Sequence, residues 1–350
     1  MKEQILKDYD NKKIIFIELE EKIKGLINSL IKEQGLTIHG IESRVKQKES
    51  LSKKIDEKGD KYNGLEEITD TLGLRIITYF EDDVDKIANL IKTEFLLDEK
   101  NSTDKRDKKP DTFGYSSLHY IVKLKEPRAS LPEYARFNDI NFELQIRSIL
   151  QHAWAEIEHD IGYKSAISIP KNVRRNFSRI ASLLELADIE FIRIKKEIQK
   201  YSEKVKENIK LDNLNIPLDK VTLEEFLENS SLISEINYHF KRLFNAVEVK
   251  YSDRAVESDL KRLMYFNITT LEQLQSELFN RKDKILSFSA KWVEKNAITI
   301  SKGVALFYLE YLLIGEKNDV NAIEKYLQEF SIGQEYRKTA EKILRVINEM

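Results

Sequence analysis

The sequence of 350 residues contains no cysteine. Disulfide bonds and cysteine-ligated zinc sites are therefore excluded. Only five histidines are present, scattered along the chain, so a structural metal site built on imidazole is not expected either.

A strong net charge is also absent. The chain has 58 Lys and Arg against 60 Asp and Glu, a net charge of -2, so no overall basicity indicates a nucleic-acid-binding protein. Any phosphate-binding patch must be local. Hydrophobic residues make up 41% of the chain and charged residues 34%, which is compatible with a packed core and a highly charged surface.

Long apolar runs are missing as well. No stretch approaches the roughly 18 apolar residues of a membrane-spanning helix, and the first residues do not begin the apolar region of a signal peptide. We therefore expect a cytoplasmic protein without a membrane partner.

Three segments have the residue pattern of β-strands. Residues 74–80 are rich in β-branched and aromatic side chains, residues 120–125 follow an aromatic turn, and residues 141–147 alternate between apolar and polar. The apolar spacing of residues 87–95 predicts a helix after the first strand. Residues 41–62 are very polar, and no element is predicted there.

Helical periodicity dominates both ends of the chain. Residues 3–34 predict one or two helices that end near Gly35, and the period is mostly helical after Ser148. Residues 208–218 have the composition of a linker. Strands mixed with helices, followed by helices alone, indicate an α/β or α+β domain with a separate helical domain after it, and we expect α+β.

The predicted domain boundaries follow from this change of pattern. The first domain covers residues 1–207 and contains a mixed β-sheet flanked by helices. The second covers residues 219–350 and is all helical. A regulatory role for it rests only on its position after the first domain.

One predicted helix carries an apolar seam over residues 183–205. Steps of three and four residues place seven side chains on one side, close to a two-per-heptad repeat: Leu183, Ala187, Phe191, Ile194, Ile198, Tyr201 and Val205. The seam indicates either a long helix packed on its own domain or a helix through which copies of the chain form a homo-oligomer.

Two carboxylates lie at the start or on the polar face of predicted strands. Asp70 comes just before the first strand, and Glu143 lies on the polar face of the third. Carboxylates on adjacent strands can hold Mg²⁺, which prefers oxygen ligands and shares them with phosphates. The alternative is that each only caps or solvates the edge of the sheet.

Cations crowd the region before the first strand. Five lie within one short window, and another lies five positions after Asp70: Arg44, Lys46, Lys48, Lys53, Lys54 and Arg75. Cations of this kind neutralise the phosphates of a bound nucleotide, and the planar arginine guanidinium also stacks on a base. Acidic residues in the same region favour the alternative of a solvated, mixed-charge surface.

The segment 113–120 combines an aromatic turn with the start of a strand. Gly114 permits a tight turn, and Tyr115 after it can serve as a platform on which a base stacks. His119 can donate to a phosphate or a hydroxyl. Local packing of both rings is the alternative.

These segments together resemble the synthetase domain of the RelA/SpoT family of alarmone pyrophosphokinases. The order of five motifs carries the resemblance: Arg44-Val45-Lys46 with Ser50 and Lys54; Asp70-x-x-Gly73-x-Arg75; Gly114-Tyr115-x-Ser117-Leu118-His119; Glu143-x-Gln145-Ile146-Arg147; and Trp154-Ala155-x-x-Glu158-His159 with Tyr163 and Lys164. It covers roughly residues 15–200 and does not reach the C-terminal helices.

The resemblance implies roles for the ATP-binding side of the site. Arg44 and Arg75 would enclose the adenine of ATP. Three residues would hold its phosphates: Lys46, Ser50 and Lys54. Asp70 and Glu143 would be the catalytic residues that bind Mg²⁺, and Glu143 would also help to deprotonate the attacking hydroxyl.

The acceptor side is implied in the same way. Tyr115 would stack on the acceptor base, with His119 near its phosphates and Ser117 and Lys109 beside them. Gln145 and Arg147 would support the site. The reaction implied is attack of an acceptor 3′-hydroxyl on the β-phosphorus of ATP, which transfers pyrophosphate and releases AMP.

Two departures from the family pattern affect what is expected. Only about 40 residues precede Arg44, so we expect no hydrolase domain of the kind that bifunctional members carry. The stretch before the turn keeps Lys and Pro but places Asp111 and Phe113 beside the acceptor pocket, which leaves the acceptor open.

Three functions remain as hypotheses. The first is synthesis of (p)ppGpp from GDP or GTP. The second is a toxin-like pyrophosphokinase that uses the same ATP site to modify the 3′ end of tRNA. The third is an inactive nucleotide-binding regulator, which the presence of Asp70, Glu143 and the two arginines disfavours.

Overall fold

The computed structural model describes residues 1–58, 61–104, 106, 117–163, 171–249, 251–293 and 299–350. These residues form two compact units, Met1–Lys195 and Lys196–Met350. The division between them lies before the predicted domain end at residue 207. It falls inside one long helix, which runs without a break from Lys171 to Lys210. The start of the predicted linker over 208–218 is likewise helical.

The first unit is an α+β structure, as predicted. Its elements in chain order are α1 (Lys2–Glu33), β1 (Ile38–Val45), α2 (Lys48–Lys58), β2 (Leu72–Thr78), α3 (Asp82–Glu94), β3 (Phe95–Leu97), β4 (Thr103–Asp104), β5 (Leu118–Leu124), β6 (Phe142–Ser148), α4 (Ile149–Tyr163) and α5 (Lys171–Lys210).

One mixed sheet organises this unit. Its strand order is β1-β2-β6-β5-β3, and the short β4 pairs with β5. The strands β2 and β6 are parallel, whereas β1 on β2 and β5 on β6 are antiparallel. The two strands that carry Arg75 and Glu143 are therefore direct neighbours at the centre of the sheet.

The sheet buries one face and leaves polar side chains on the other. Alternate residues of the central strands point into the core, among them Leu74, Ile76, Leu144 and Ile146, all nearly inaccessible to solvent. They pack with apolar residues of α1 and α3 in one cluster. Because side chains alternate along a strand, the residues between them lie on the opposite face.

Helix α1 is continuous and has an apolar stripe along its whole length. Its buried residues are Ile5, Tyr9, Phe16, Leu19, Ile23, Ile27 and Ile31. Gly35, with a φ of 66°, follows the helix end in the left-handed region that glycine adopts without strain. The predicted stop at this position is confirmed.

The three predicted strands are confirmed as β2, β5 and β6. Strand β1 is missed, because it is an edge strand of alternating polar residues in which only Ile41 is buried. Phe95 was predicted to be helical, but it begins β3 because it pairs with Leu124 of β5.

The second unit is helical, as predicted, with two short strands added. Its elements are α6 (Lys220–Asn229), α7 (Ser231–Phe244), β7 (Val247–Val249), α8 (Asp253–Tyr265), α9 (Leu271–Trp292), β8 (Thr299–Ser301), α10 (Val304–Gly315), α11 (Val320–Glu329) and α12 (Tyr336–Asn348). Strands β7 and β8 form a parallel pair. The prediction misses α12 and places the start of α10 too early, where β8 lies.

Of the helices in the described ranges, none is both long enough and apolar enough to cross a membrane.

Candidate active site

The polar face of the sheet brings the predicted site residues into two adjacent rows. In one row, Glu42 pairs with Arg75, Arg75 with Gln145, and Gln145 with His119. In the next, Arg44 pairs with Gly73 and Gly73 with Glu143. Neighbouring strands lie about 4.8 Å apart, so each row holds its side chains within reach of one another.

A pocket lies over these two rows. It is lined by Glu42, Ser43, Arg44, Lys46, Asp70, Gly73, Leu74, Arg75, Glu143 and Gln145. The two predicted catalytic carboxylates therefore face one space, together with both predicted adenine-binding arginines and one of the predicted phosphate-binding lysines.

Asp70 precedes β2 and accepts hydrogen bonds from two lysines. Lys46 Nζ lies 2.8 Å and Lys54 Nζ 2.7 Å from Asp70 Oδ2. Burial disfavours the charged form, but the hydrogen bonds and positive charges of the two lysines outweigh it, and the pKa of Asp70 is lowered. Asp70 is therefore ionised at neutral pH. It holds two lysines, Lys46, which lines the pocket, and Lys54.

Glu143 is held by its neighbours on β5 and β6. His119 Nδ1 donates to Glu143 Oε1 at 2.8 Å, and Gln145 Nε2 donates to Glu143 Oε2 at 3.0 Å. Burial raises the pKa of Glu143, but His119 and Gln145 together lower it by more, so the net shift is downward. Ser117 Oγ, 2.6 Å from His119 Nε2, extends this chain of contacts.

The donor set of Asp70 and Glu143 fits a magnesium ion. Asp70 Oδ1 is buried and has no hydrogen-bond partner among the described residues. The charge of Asp70 also opposes ionisation of Glu143, which indicates that the two carboxylates are close. Across the described ranges there is no cluster of three or more acidic, histidine or cysteine ligands, so the remaining ligands of such an ion would be water and substrate phosphates.

Arg75 also belongs to a second group of charged and polar side chains, three of which are not predicted from the sequence: Glu42, His152 and Glu156. Arg75 Nη1 donates to Glu156 Oε1 on α4 at 2.9 Å, and Arg147 Nη2 donates to the same oxygen at 3.2 Å. His152 Nε2 lies 3.7 Å from Glu42 Oε1, and burial followed by the charge of Arg147 lowers the pKa of His152. Strand alternation would place Glu42 beside Arg44 if β1 were recognised, whereas no local pattern indicates Glu156.

Ser50 and Arg147, two other predicted site residues, do not line the pocket. Ser50 is exposed in the first turn of α2, and Arg147 is buried beneath Glu156. Tyr115 and Lys109 lie outside the described residues.

Comparison with known proteins finds one family and two curated relatives that match this chain. The region found in RelA / SpoT proteins matches residues 43–168. GTP pyrophosphokinase YjbM of Bacillus subtilis is 30% identical over 185 residues, 52% of this chain and 84% of the relative. GTP pyrophosphokinase YwaC of the same organism is 29% identical over 204 residues, 55% of this chain and 93% of the relative.

A solved structure is also similar to part of this chain. The crystal structure of small alarmone synthetase 2 from Bacillus subtilis is 29% identical, with a TM-score of 0.46, and covers 54% of this chain and 99% of that one. The family match over residues 43–168 includes both carboxylates, Asp70 and Glu143. The chain belongs to the RelA/SpoT family and is an enzyme of the pyrophosphotransferase class.

Proposed function

We propose that the protein transfers the β,γ-pyrophosphate of ATP to the 3′-hydroxyl of GDP or GTP, forming (p)ppGpp and releasing AMP. The observation that carries the proposal is the pocket in which ionised Asp70 and Glu143 lie beside Arg44, Arg75 and Lys46. Phosphoryl-type transfer depends on positioning and charge neutralisation, which this set supplies. The names of the two relatives, both GTP pyrophosphokinases, support the acceptor.

The strand register supports adenine binding between Arg44 and Arg75. Arg44 lies opposite Gly73, so Arg75 is its diagonal neighbour on the adjacent strand. Diagonal neighbours are separated by roughly 7 Å, about twice the 3.5 Å contact distance between stacked groups. A planar base therefore fits between the two guanidinium groups, over a glycine that leaves the space open.

Two sets of residues would hold the phosphates. Lys46 and Lys54 already converge on Asp70, and Ser50 lies on the same helix as Lys54. Asp70 and Glu143 would hold Mg²⁺, which when bound neutralises charge on the phosphate oxygens. The two lysines, which contact Asp70 in this structure, would then be available to the phosphates.

Glu143 would accept the proton of the attacking hydroxyl. The acceptor 3′-oxygen forms a bond to the β-phosphorus, the bond between that phosphorus and the α,β-bridging oxygen breaks, and AMP leaves with the electron pair. His119 contacts Glu143, and Ser117 contacts His119. These two side chains would contact the acceptor. Tyr115 and Lys109 complete the proposed acceptor contacts.

The acceptor is tested by offering GDP, GTP and tRNA together with ATP labelled on its β-phosphate. The proposal predicts that label enters guanosine tetra- or pentaphosphate and that AMP is released. Label on tRNA alone would instead support the toxin-like alternative, which the altered stretch before Tyr115 keeps open. ATP binding without transfer would support an inactive regulator.

Filling the space above Gly73 should block the adenine. A Cβ built on Gly73 meets nothing within 4 Å, so Gly73→Val adds bulk to the pocket without a clash in the fold. We expect the dissociation constant for ATP to rise at least about 30-fold, roughly 2 kcal/mol, with an unchanged melting temperature. Gly40→Val is the matched control, because Gly40 also has free space and lies outside the pocket lining; equal effects of the two changes would contradict the assignment.

We also propose that α5 joins copies of the chain in a homo-oligomer. Leu183, Phe191 and Ile198 of the predicted seam are 66%, 48% and 53% exposed, whereas Val205 is buried in the core of the second unit. Among the described residues, the seam is largely exposed from Leu183 to Ile198, whereas Tyr201 donates to Asp219 Oδ2 at 2.7 Å and Val205 is packed within the chain.

Disruption of the seam should dissociate such an oligomer. We expect Leu183→Glu combined with Ile198→Glu to lower the mass measured by analytical ultracentrifugation to that of one chain. Lys200→Glu, at an exposed polar position of α5, is the control and should leave the mass unchanged. A single-chain mass for the unaltered protein would contradict the proposal.

A further inference from the structure

Three side chains contact the edge of the Arg75 guanidinium group. Its Nε donates to Gln145 Oε1 at 3.3 Å, and its Nη1 donates to Glu156 Oε1 at 2.9 Å. Glu42 Oε2 lies 3.6 Å from the same Nη1. Because the N–H bonds of a guanidinium lie in its plane, these contacts fix the plane and use only its edge.

Glu156 is shared with a second, buried arginine. The side chain of Arg147 is 5% exposed, and its Nη2 donates to Glu156 Oε1 at 3.2 Å. Burial lowers the pKa of Arg147, and the charge of Arg75 lowers it further, while Glu156 opposes both. The carboxylate therefore separates two positive groups that would otherwise repel each other in a poorly solvated place.

Glu156 does not belong to the pocket lining, whereas Arg75 does. The carboxylate comes from α4, and the pocket is built on the sheet. Of the two arginines that donate to Glu156, Arg75 is the one that lines the pocket, so it is the route by which Glu156 would affect a bound nucleotide.

We propose that Glu156 is a positioning residue that holds Arg75 in the orientation that stacks on the adenine of ATP. The inference rests on the proposed function in one respect, that ATP is the ligand of this pocket. Glu156 neutralises Arg147 from one side and directs the edge of Arg75 from the other, so that the face of Arg75 remains available to the base.

The test measures binding of a non-hydrolysable ATP analogue to the full chain by calorimetry. Glu156→Gln should raise the dissociation constant about tenfold, which is about 1.4 kcal/mol. At saturating ATP, kcat should remain within about twofold, because the lost contact acts on substrate binding. In an Arg75→Ala background the same change should alter the dissociation constant by less than about twofold, because the residue through which Glu156 acts is gone.

Two further variants complete the design. Glu21→Gln is the matched control, because Glu21 is exposed on α1, and it should bind the analogue like the unaltered chain. Glu156→Asp keeps the charge beside Arg147 with a shorter reach to Arg75, so it should still weaken binding if the glutamine variant fails to fold. Unchanged binding by the folded variants, or a full additional loss in the Arg75→Ala background, would overturn the inference.

The outcome is separable from that of the proposed function. If the unaltered chain binds the analogue but transfers nothing, the proposed function fails, and the dissociation constants still decide the role of Glu156. If the unaltered chain does not bind the analogue, both are overturned. Normal transfer with unchanged binding by Glu156→Gln overturns this inference alone.

Discussion

Glu143→Gln should lower kcat for pyrophosphate transfer by about 10²- to 10⁴-fold, the range expected for loss of a general base. The pKa of Glu143 is held below its usual range, so its carboxylate is ionised at neutral pH and can take a proton. Glutamine has the same shape and can still accept from His119, but it cannot take the proton or offer a charge to Mg²⁺. The residue lies on the polar face of the sheet, so the core is untouched.

Three measurements on this variant separate chemistry from folding. Steady-state kinetics should show the loss in kcat, circular dichroism should show an unchanged melting temperature, and calorimetry should show ATP binding. The Glu21→Gln protein serves again as the control for a neutralised surface carboxylate. Undiminished transfer by Glu143→Gln would remove Glu143 from the catalytic site.

Arg262→Ala should destabilise the second unit by about 3–5 kcal/mol, the cost of breaking a buried ion pair. Arg262 on α8 donates through Nε to Glu310 Oε2 on α10 at 2.6 Å, and it also pairs with Asp259. Glu310 is completely buried, and Asp259 is nearly so. Without the guanidinium, Asp259 would lose this positive partner in the interior, and the Glu310 carboxyl would lose a hydrogen-bond donor.

The loss should depend on pH in a defined direction. Burial raises the pKa of Glu310 to about 8 even with Arg262 present, against 4.5 for the ordinary group. A carboxyl group whose pKa is raised by folding contributes most below the unfolded pKa and loses that contribution as the pH rises. Removal of Arg262 takes away the group that lowers this pKa and so raises it further. The two folded proteins then differ in bound protons only above about pH 8, so the deficit should grow as the pH rises above that value.

Urea unfolding at about pH 7 and at about pH 9 measures this effect. Arg337→Ala is the control, because Arg337 forms its ion pairs at the surface, where such pairs contribute little. An Arg262→Ala protein as stable as the control would show that the buried charges are compensated elsewhere.

The sequence predicts the centre of the sheet well, for a physical reason. Strand β2 is nearly fully buried and β6 alternates cleanly, and the alternation of β6 also assigns Glu143 to its polar face. The adjacency of the two carboxylates follows because Asp70 directly precedes β2 and Glu143 lies on its parallel neighbour.

The edge of the sheet escapes prediction. Strand β1 buries only Ile41, since one side of it has no partner strand, and its alternating charges look like a solvated segment. As a result Glu42 is missed, although Arg44 two residues later is found through the family resemblance.

Contacts across α4 are beyond any local pattern. Glu156 meets Arg75 across 81 positions of sequence, a distance that only the packing of α4 against the sheet determines. The seam on α5 was ambiguous for a related reason: its periodicity is the same whether the partner is the second unit, as for Val205, or another molecule.

The most direct test of the central claim follows the phosphorus atoms of ATP by ³¹P NMR in the presence of GDP, Mg²⁺ and the protein. Transfer of an intact pyrophosphate predicts AMP and a guanosine carrying a 3′-diphosphate in equal amounts, with neither formed by the Glu143→Gln protein. Formation of ADP or free phosphate in place of AMP, or equal product from the variant, would contradict the account.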